Sequence, residues 1–286
     1  MVAPSPVAHR PPVRGTLFFK MTGSGNDFVM LDGRATVPDS WPAARVRAIC
    51  DRRNGVGADG MVILTPSSAG TVRMSYWNSD GSRGAMCGNA ALCSGRLSVD
   101  LEMVAPGEFC LVTDSGPVRV ISRAQADEAE INLPDCSLPR ESDVPTGPGE
   151  RWLAFGTVGV PHLVVRVEDV ESVDVSGRGR ILRSESRLGP GGANVNFVSP
   201  SRRTDGPWLI RTFERGVEGE TLACGTGTVA AALALASRGE AQLPLIFQSR
   251  GGPLLTVRAH LERDQAADVW LAGQGRLLFR GVWEGR

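Results

Sequence analysis

Two cysteines, Cys87 and Cys224, stand in matching sequence contexts. Each follows a polar loop that contains glycine, is itself followed by glycine, and precedes a segment with helical spacing, so both thiols are predicted to lie at helix N-termini. Unsatisfied N–H groups and the helix dipole favour negative charge at such a position. We therefore expect lowered thiol pKa values and a usable fraction of thiolate near neutral pH.

Two such helix ends that face each other could hold one carboxylate on their N–H groups and place a sulfur on either side of its α-carbon. One thiolate would remove the α-proton as general base, and the opposite thiol would return a proton to the other face. The helix ends would also stabilise the charge that develops on the carboxylate. The pattern therefore predicts an amino-acid racemase or epimerase that needs no metal or organic cofactor.

The remaining cysteines have no such repeated context. A lone cysteine most often packs as a small apolar side chain. We predict this structural role for Cys50, Cys93, Cys110 and Cys136. Cys87 and Cys224 are therefore the two cysteines predicted to take part in catalysis.

The segments that must position the two thiols repeat one pattern along the chain. A predicted strand at 74–78 leads through a loop to the helix 87–101, and a strand at 210–214 leads through a similar loop to the helix 226–237. A stretch rich in proline and polar residues, 134–150, has the composition of a linker. The repeat predicts a mixed α/β (α+β) protein with two pseudo-equivalent domains, each of which presents one cysteine at a helix N-terminus.

Composition argues against several other classes of function. Lys+Arg and Asp+Glu are balanced at 31 each, so no net charge attracts nucleic acid or an anionic membrane. The longest apolar run, 229–236, is too short to span a bilayer. Residues 1–14 contain four prolines and no apolar segment, which predicts a disordered tail rather than a secretory signal. We therefore expect no nucleic-acid or membrane partner, and free thiols in a reducing cytoplasm.

The patterns that could indicate a cofactor or a metal are weak. The only lysine is Lys20, inside an apolar run, which leaves pyridoxal phosphate a single, poorly placed candidate for its Schiff base. Residues 55–60 match G-x-G-x-x-G but follow a helix and enter a strand, and 225–230 lack a surrounding βαβ unit, so neither predicts dinucleotide binding. C-x-x-C pairs and paired histidines are absent from the sequence. We predict that the protein uses neither a cofactor nor a metal.

Seven motifs in the same order give the chain a resemblance to the diaminopimelate epimerase family, from about Leu17 to Trp283. The motifs are Met21–Phe28, Asp51–Gly60, Asn78–Gly81, Met86–Asn89, Pro161–His162, Asn194–Phe197 and Glu214–Gly227. The resemblance implies two pseudo-symmetric domains, each a curled β-sheet or barrel around a central helix, with the site in the cleft between them. It implies an N-terminal domain at 15–132, to which the strand 274–286 returns, and a C-terminal domain at 133–273.

The resemblance also implies an activity and a role for each matched residue. The activity is interconversion of LL- and meso-diaminopimelate in lysine and peptidoglycan biosynthesis, usually by a homodimer, with Cys87 and Cys224 as the two acid/base residues. The residues implied to contact the reacting carboxylate are Gly88, Asn89, Gly225 and Thr226. Those implied to hold the substrate, largely at its distal end, are Asn26, Asn78, Asn194, Glu214 and Arg215. The residues implied to tune the thiols are His162 and Glu214.

Two positions depart from the family pattern and keep alternatives open. The family usually has Asn before Pro-His, where this chain has Val160, and Arg where this chain has Leu92. A racemase of the same fold that acts on another amino acid is therefore the main alternative. A dehydratase of a related fold, or a non-catalytic relative that binds amino acids, is disfavoured because both cysteines are retained.

Overall fold

The computed structural model describes residues 15–68, 70–124, 127–203 and 205–285, so the predicted disorder of the N-terminal tail lies outside the described residues. The first half of the chain builds a curled sheet around one long helix. Its elements, in chain order, are β1 (Thr16–Gly23), β2 (Asn26–Asp32), α1 (Ala43–Cys50), β3 (Gly60–Ser68), β4 (Thr71–Asn78), β5 (Arg83–Gly84), α2 (Gly88–Asp100), β6 (Gly107–Thr113), β7 (Gly116–Ser122) and β8 (Glu128–Leu133).

The second half begins with two short strands and then repeats the same series. Its elements are β9 (Cys136–Ser137), β10 (Arg140–Glu141), β11 (Glu150–Val158), β12 (Val160–Val167), α3 (Val175–Arg183), β13 (Asn194–Pro200), β14 (Trp208–Glu214), β15 (Gly219–Thr221), α4 (Gly225–Ser237), β16 (Leu245–Ser249), β17 (Leu254–Glu262), β18 (Gln265–Gln274) and β19 (Arg276–Trp283). The series from β1 to β8 therefore corresponds, element by element, to the series from β11 to β18.

Corresponding strands also pair in the same way. In the first half β2 is parallel to β3, β3 is antiparallel to β4, and β4 is parallel to β6. In the second half β12 is parallel to β13, β13 is antiparallel to β14, and β14 is parallel to β16. Each half ends in an antiparallel meander, β6–β7–β8 or β16–β17–β18. This repetition confirms the predicted fold of two pseudo-symmetric α/β halves.

Two strand pairings join the halves. Strand β8 pairs antiparallel with β18, and the last strand, β19, pairs antiparallel with β1. One sheet therefore continues through both halves. The predicted domain boundaries at 132 and 273 lie beside the ends of β8 and β18, and as boundaries of folding units they stay a prediction.

The helices α2 and α4 lie inside the curled sheets, and one hydrophobic core encloses both of them. Helix α4 is buried on all sides from Gly227 to Leu235, as its uniformly apolar sequence requires. Helix α2 combines apolar residues with small ones. The hydroxyls of Ser94 and Ser98 are buried there, and each donates a hydrogen bond to the backbone carbonyl four residues earlier. Gly95 permits close packing, because a Cβ there would lie 2.6 Å from Val120 Cγ1. Small residues thus let each helix fit within its sheet.

The shorter helices α1 and α3 pack on the other face of each half-sheet, over two separate hydrophobic clusters. Each half is therefore layered, with one helix inside the curl and one outside. Among the residues that the structure describes, no helix is both long enough and apolar enough to cross a membrane.

Candidate active site

Cys87 and Cys224 are the N-cap residues of α2 and α4. Both have extended backbone, with φ/ψ of −142°/120° at Cys87 and −132°/107° at Cys224, and each helix begins at the glycine that follows. An N-cap side chain faces the free N–H groups of the first helical turn. The predicted position of both thiols at helix N-termini is therefore confirmed.

The two thiols lie within electrostatic reach of each other. Helices α2 and α4 contact each other within one hydrophobic core, Cys87 packs against that core, and Cys224 is itself buried. Cys224 is only 9% exposed, and Cys87 is half-buried. Burial is the main factor that raises the pKa of Cys224, and negative charge on Cys87 raises it further. The fold thus places the two cysteines that the sequence pattern paired at the starts of two contacting helices, near enough for a charge on one sulfur to affect the other.

The pKa values of both thiols are raised, which corrects the expectation that they would be lowered. Burial raises the pKa of Cys224 to about 12 and also raises that of Cys87, and the nearby Glu214 carboxylate raises both further. The N–H groups of the first turn of each helix act in the opposite direction, as helix N-termini should. Loss of water around the two sulfurs outweighs this effect. Both thiols are therefore protonated at neutral pH in this arrangement.

Tyr76, the only tyrosine of the chain, contacts Asn78 and Cys87. Its hydroxyl, which has a single proton, lies 2.9 Å from Asn78 Oδ1 and also lies beside the Cys87 sulfur. When that proton turns from Asn78 to the Cys87 thiolate, the hydrogen bond lowers the thiol pKa that burial raises. The ring lies between Gly60 and Gly84, and a Cβ at either glycine would come within 2.7 Å of a ring atom. Tyr76 was not among the predicted site residues. Its spacing of two from Asn78, which puts both side chains on one face of β4, was the available signal.

His162 reaches Cys224 through Thr226. His162 Nε2 lies 3.0 Å from Thr226 Oγ1, which in turn lies 3.8 Å from the Cys224 sulfur. The Asn196 amide nitrogen lies 3.2 Å from His162 Nδ1 and can only donate, so the ring proton sits on Nε2 and points at Thr226. Burial, and then the charge of Arg215, lowers the pKa of His162 to about 3, so the ring is neutral. The expected tuning of a thiol by His162 stays a prediction, with this hydroxyl as its physical route.

The predicted substrate contacts lie at one edge of each half-sheet. Asn26 begins β2 and Asn78 ends β4, while Asn194 begins β13 and Glu214 ends β14. Because β2 is parallel to β3 and β3 is antiparallel to β4, these ends fall at the same edge, and the corresponding strands of the second half behave alike. From that edge the chain leads through β5 or β15 into the helix that carries the thiol. Each half therefore combines a helix end with a set of polar side chains.

The charged residues of the second half are poised for a ligand with both signs of charge. Asn194 Oδ1 accepts from the Arg215 backbone N–H at 2.8 Å, which fixes the turn after β14. Within the described ranges the Arg215 guanidinium makes no ion pair and contacts the Gly191 carbonyl at 3.4 Å. Burial raises the pKa of Glu214, and Thr221 partly offsets this. A guanidinium can bind a carboxylate and a carboxylate can bind an ammonium, so these two consecutive residues offer a group for each sign of charge.

The two departures from the family pattern have different surroundings. Leu92 is fully buried in the core of α2, and a Cβ at Gly273 would lie 2.9 Å from its Cδ1. Leu92 therefore fills the core around the helix. Val160 is half-buried at the start of β12, two residues before His162. It lies at the same sheet edge as the predicted substrate contacts.

The other four cysteines are free thiols, with Cys50 and Cys93 buried and Cys110 and Cys136 half-buried. Burial raises the pKa of Cys50 to about 12 and raises that of Cys93 as well, so both behave as apolar groups. Across the described part of the chain, no three His, Cys, Asp or Glu side chains are grouped so that they could hold a metal ion.

Solved structures of low sequence identity share this fold. A phenazine biosynthesis protein of the PhzF family from Bacillus anthracis superposes with a TM-score of 0.70 at 13% identity, over 94% of this chain and 99% of that one. A hydroxyproline epimerase from Agrobacterium vitis, with bound trans-4-hydroxy-L-proline, has a TM-score of 0.65 at 17% identity, over 96% of this chain and 94% of that one. At these identities the likeness establishes the fold alone.

Sequence comparison is more specific. The family model described as diaminopimelate epimerase matches residues 18–133 and 155–267, one segment in each half. A diaminopimelate epimerase from Gemmatimonas aurantiaca is 43% identical over 92% of this chain and 98% of its own length. One from Aquifex aeolicus is 34% identical over 92% of this chain and 96% of its own length. With the fold, the paired thiols and the matched motifs in agreement, this chain belongs to the diaminopimelate epimerase family.

Proposed function

We propose that this protein is a cofactor-independent isomerase that interconverts LL- and meso-diaminopimelate in lysine and peptidoglycan biosynthesis. The observation that carries the proposal is the pair of cysteines that cap α2 and α4 within reach of each other. Relatives that are 43% and 34% identical over nearly the whole chain bear the name of this activity.

In the proposed mechanism one thiol acts as a thiolate base and the other as an acid. The reacting carboxylate lies on the backbone N–H groups at the starts of α2 and α4, those of Gly88, Asn89, Gly225 and Thr226. The thiolate removes the α-proton, the negative charge spreads onto the carboxylate, and the opposite thiol protonates the other face. The substrate ammonium stabilises the thiolate by opposite charge, which counters the burial that raises the pKa values of both thiols. Each turnover leaves the two thiols with exchanged protonation states.

The distal end of the substrate is a second zwitterion, and it requires donors for a carboxylate and an acceptor for an ammonium. We assign the carboxylate to Arg215 with Asn78 and Asn194, and the ammonium to Glu214, with Asn26 closer to the reacting end. His162 acts on Cys224 through Thr226. The unpaired guanidinium of Arg215 supports this assignment, because within the described residues it has no other carboxylate to bind.

The proposal includes a homodimer in a reducing cytoplasm, with an N-terminal domain of 15–132 plus 274–286 and a C-terminal domain of 133–273. The pairing of β19 with β1 supports this division of the chain. Family membership supports the homodimer. Sedimentation velocity measures the assembly directly, and a monomer across the working concentration range would contradict a homodimer.

A racemase of another amino acid is the second candidate, and Val160 is the observation that favours it. Val160 replaces a polar side chain of the family pattern at the sheet edge where the substrate contacts lie. Leu92, in contrast, is buried in the core and does not bear on the choice of substrate. The first test is therefore a test of substrate.

In this test the reduced protein is incubated with LL-diaminopimelate in D₂O. The stereochemistry of the product and the deuterium content of its α-carbon are measured together. Appearance of the meso isomer with solvent deuterium at the inverted carbon is expected. If no inversion occurs, the same assay on a panel of L-amino acids tests the second candidate. If the wild-type protein does not invert diaminopimelate but Val160→Asn does, Val160 is the cause of the missing activity.

Tyr76→Phe is expected to move the pH profile of kcat/KM to higher pH by about one to two units, because a hydrogen bond to a charged group contributes about 1.5–3 kcal/mol and one pKa unit corresponds to about 1.4 kcal/mol. The tyrosine hydroxyl lowers the pKa of Cys87, so its loss raises that pKa, and the thiolate then forms only at higher pH. The phenyl ring still fills the slot between Gly60 and Gly84. Initial rates in both directions, from about neutral pH up to the highest pH at which circular dichroism shows an intact fold, measure the shift, because burial places the thiol pKa above its ordinary value.

Ser82→Ala is the matched control for this prediction. The Ser82 hydroxyl contacts Asn78 Nδ2 at 2.9 Å, so its loss perturbs the same asparagine without removing a donor to Cys87. We expect a change in KM and an unmoved pH profile. The Tyr76→Phe shift is expected to be equal in both directions, because the ratio of the two kcat/KM values is the equilibrium constant. An unmoved profile in Tyr76→Phe would show that the hydroxyl does not act on the thiol.

A further inference from the structure

A charged cluster lies behind the N-terminus of α2. Lys20, the only lysine of the chain, is 5% exposed, pairs with Asp27 at 2.6 Å and also donates to the Gly57 carbonyl. Arg52 lies 2.7 Å from Asp27 on one side and 2.7 Å from Asp59 on the other. Burial alone would raise the pKa of Asp27, but Arg52 and Lys20 lower it to about 2. The cluster is therefore a fixed row of alternating charges that ends at the Asp59 carboxylate.

Two asparagines continue this row to the helix that carries Cys87. Asn26 Nδ2 donates to Asp59 Oδ2 at 2.9 Å, and Asn89 Nδ2 donates to Asn26 Oδ1 at 2.7 Å. Asn89 is the second residue of α2 and is 6% exposed. Its remaining oxygen, Oδ1, is buried and has no partner among the described residues. The row thus ends in an unused hydrogen-bond acceptor two residues after Cys87.

The direction of every hydrogen bond in this row follows from its first member. A carboxylate paired with arginine can only accept, so Asn26 must turn its NH₂ group towards Asp59. The side chain of Asn26 can then only accept from Asn89 through its oxygen, so the NH₂ group of Asn89 must donate to Asn26. What Asn89 has left is an oxygen. The negative charge of Asp59 thereby sets the polarity of an amide with which it has no direct contact.

We propose that Asp59 is a positioning residue that, through Asn26, fixes the Asn89 side chain with its oxygen towards the ligand and so selects a substrate with a free ammonium at the reacting carbon. This inference rests on the proposed function, since it concerns the same cleft. An ammonium carries only donors, so it satisfies the buried oxygen, whereas a reversed amide would present NH₂ and repel it. A ligand that has no donor at this position would leave the buried Asn89 oxygen without a hydrogen bond and would therefore bind less tightly.

Asp59→Asn removes the constraint, because an amide can both donate and accept. Asn26 and then Asn89 become free to rotate and to present NH₂ towards the ligand. Asp114→Asn is the matched control, since Asp114 also pairs with two arginines, Arg73 and Arg83, but contacts no asparagine of the cleft. Asn26→Ala is a second variant, which disconnects the row without altering any charge.

The first measurement does not depend on the substrate. In asparagine-selective ¹⁵N spectra of the full chain, Asp59→Asn is expected to move the side-chain NH₂ signals of both Asn26 and Asn89, and Asp114→Asn is expected to move neither. Asn26→Ala is expected to move the Asn89 signal alone. If Asp59→Asn leaves the Asn89 signal in place, no polarity is transmitted and the proposal is overturned, whatever the enzyme acts on.

The second measurement compares binding of LL-diaminopimelate with that of 2-amino-6-hydroxyheptanedioate, in which one ammonium is replaced by a hydroxyl. The wild-type preference for the ammonium is expected to fall about tenfold in Asp59→Asn and in Asn26→Ala, and the double variant is expected to show no additional fall. An equal loss of affinity for both ligands, or additive effects, would indicate a general structural role and overturn the proposal. If the wild-type protein instead epimerises another amino acid, the proposed substrate fails, and the pair becomes that amino acid and its 2-hydroxy analogue.

Discussion

Replacement of either Cys87 or Cys224 by alanine is expected to lower the rate of inversion by a factor on the order of 10³ or more, because each thiol carries one of the two proton transfers. The fold should survive, since neither thiol makes a side-chain cap hydrogen bond and alanine is only slightly smaller. The measurement is kcat for LL-to-meso conversion, with circular dichroism and the thermal unfolding midpoint as checks on folding.

A single remaining thiol makes a sharper expectation possible. In D₂O, each alanine variant should still exchange the α-proton of the one isomer whose hydrogen faces the retained sulfur, and should return deuterium to the same face. Cys87→Ala and Cys224→Ala should therefore exchange opposite isomers without inverting either. Cys110→Ala is the matched control, since this half-buried thiol lies on β6, away from the helix N-termini. Near-normal inversion in either active-site variant would exclude a two-base mechanism.

Mild oxidation is expected to remove essentially all activity, and a dithiol reductant is expected to restore it. Hydrogen peroxide would take two electrons from the paired thiols and form a Cys87–Cys224 disulfide, with two molecules of water as the other product. Because burial raises the pKa values of both thiols, the reactive thiolate is scarce at neutral pH, and inactivation should accelerate as the pH rises. Residual activity against time at several pH values measures this.

Peptide mapping by mass spectrometry identifies the bond that forms. A peptide pair that contains Cys87 and Cys224 should appear in proportion to the activity lost. The double variant Cys110→Ser, Cys136→Ser removes the other half-buried thiols and is expected to remain as sensitive as the wild type. Retained activity under oxidant, or a loss that accompanies only over-oxidation of one sulfur, would contradict close approach of the pair.

The two long helices could be predicted from the sequence because their signals are local. Cys-Gly before an apolar run marks a helix start, and the repeat of that pattern at Cys224 indicated the pseudo-symmetry that the strand pairings confirm. Helix α3 was not predicted. Its glycines hide the helical signal, yet Gly179 is there because a Cβ would lie 2.6 Å from Phe213, and Asp174 caps the helix by accepting from the Gly177 N–H. The packing against Phe213 exists only in the folded structure, whereas the Asp174 cap is a local signal that is too weak alone to outweigh the glycines.

The candidate site likewise has features that could be predicted from the sequence and features that could not. Residues inside recognisable motifs, such as Asn26 and Glu214, could be named from the sequence. The pKa values of the thiols could not, because desolvation depends on what covers a sulfur in three dimensions, and it outweighs the local effect of the helix end. Tyr76 and Asp59 were missed because their importance comes from the neighbours that the strand register gives them.

The twofold repeat of the strand pairings stops at the immediate neighbours of the two sulfurs. Cys87 has the Tyr76 hydroxyl beside it, whereas Cys224 has Thr226 backed by a neutral His162. A fully symmetric cleft would present the same barrier to hydrogen on either face. With unlike neighbours, primary deuterium isotope effects should differ between the two directions, and progress curves in D₂O should overshoot equilibrium to different extents when they start from the LL and from the meso isomer.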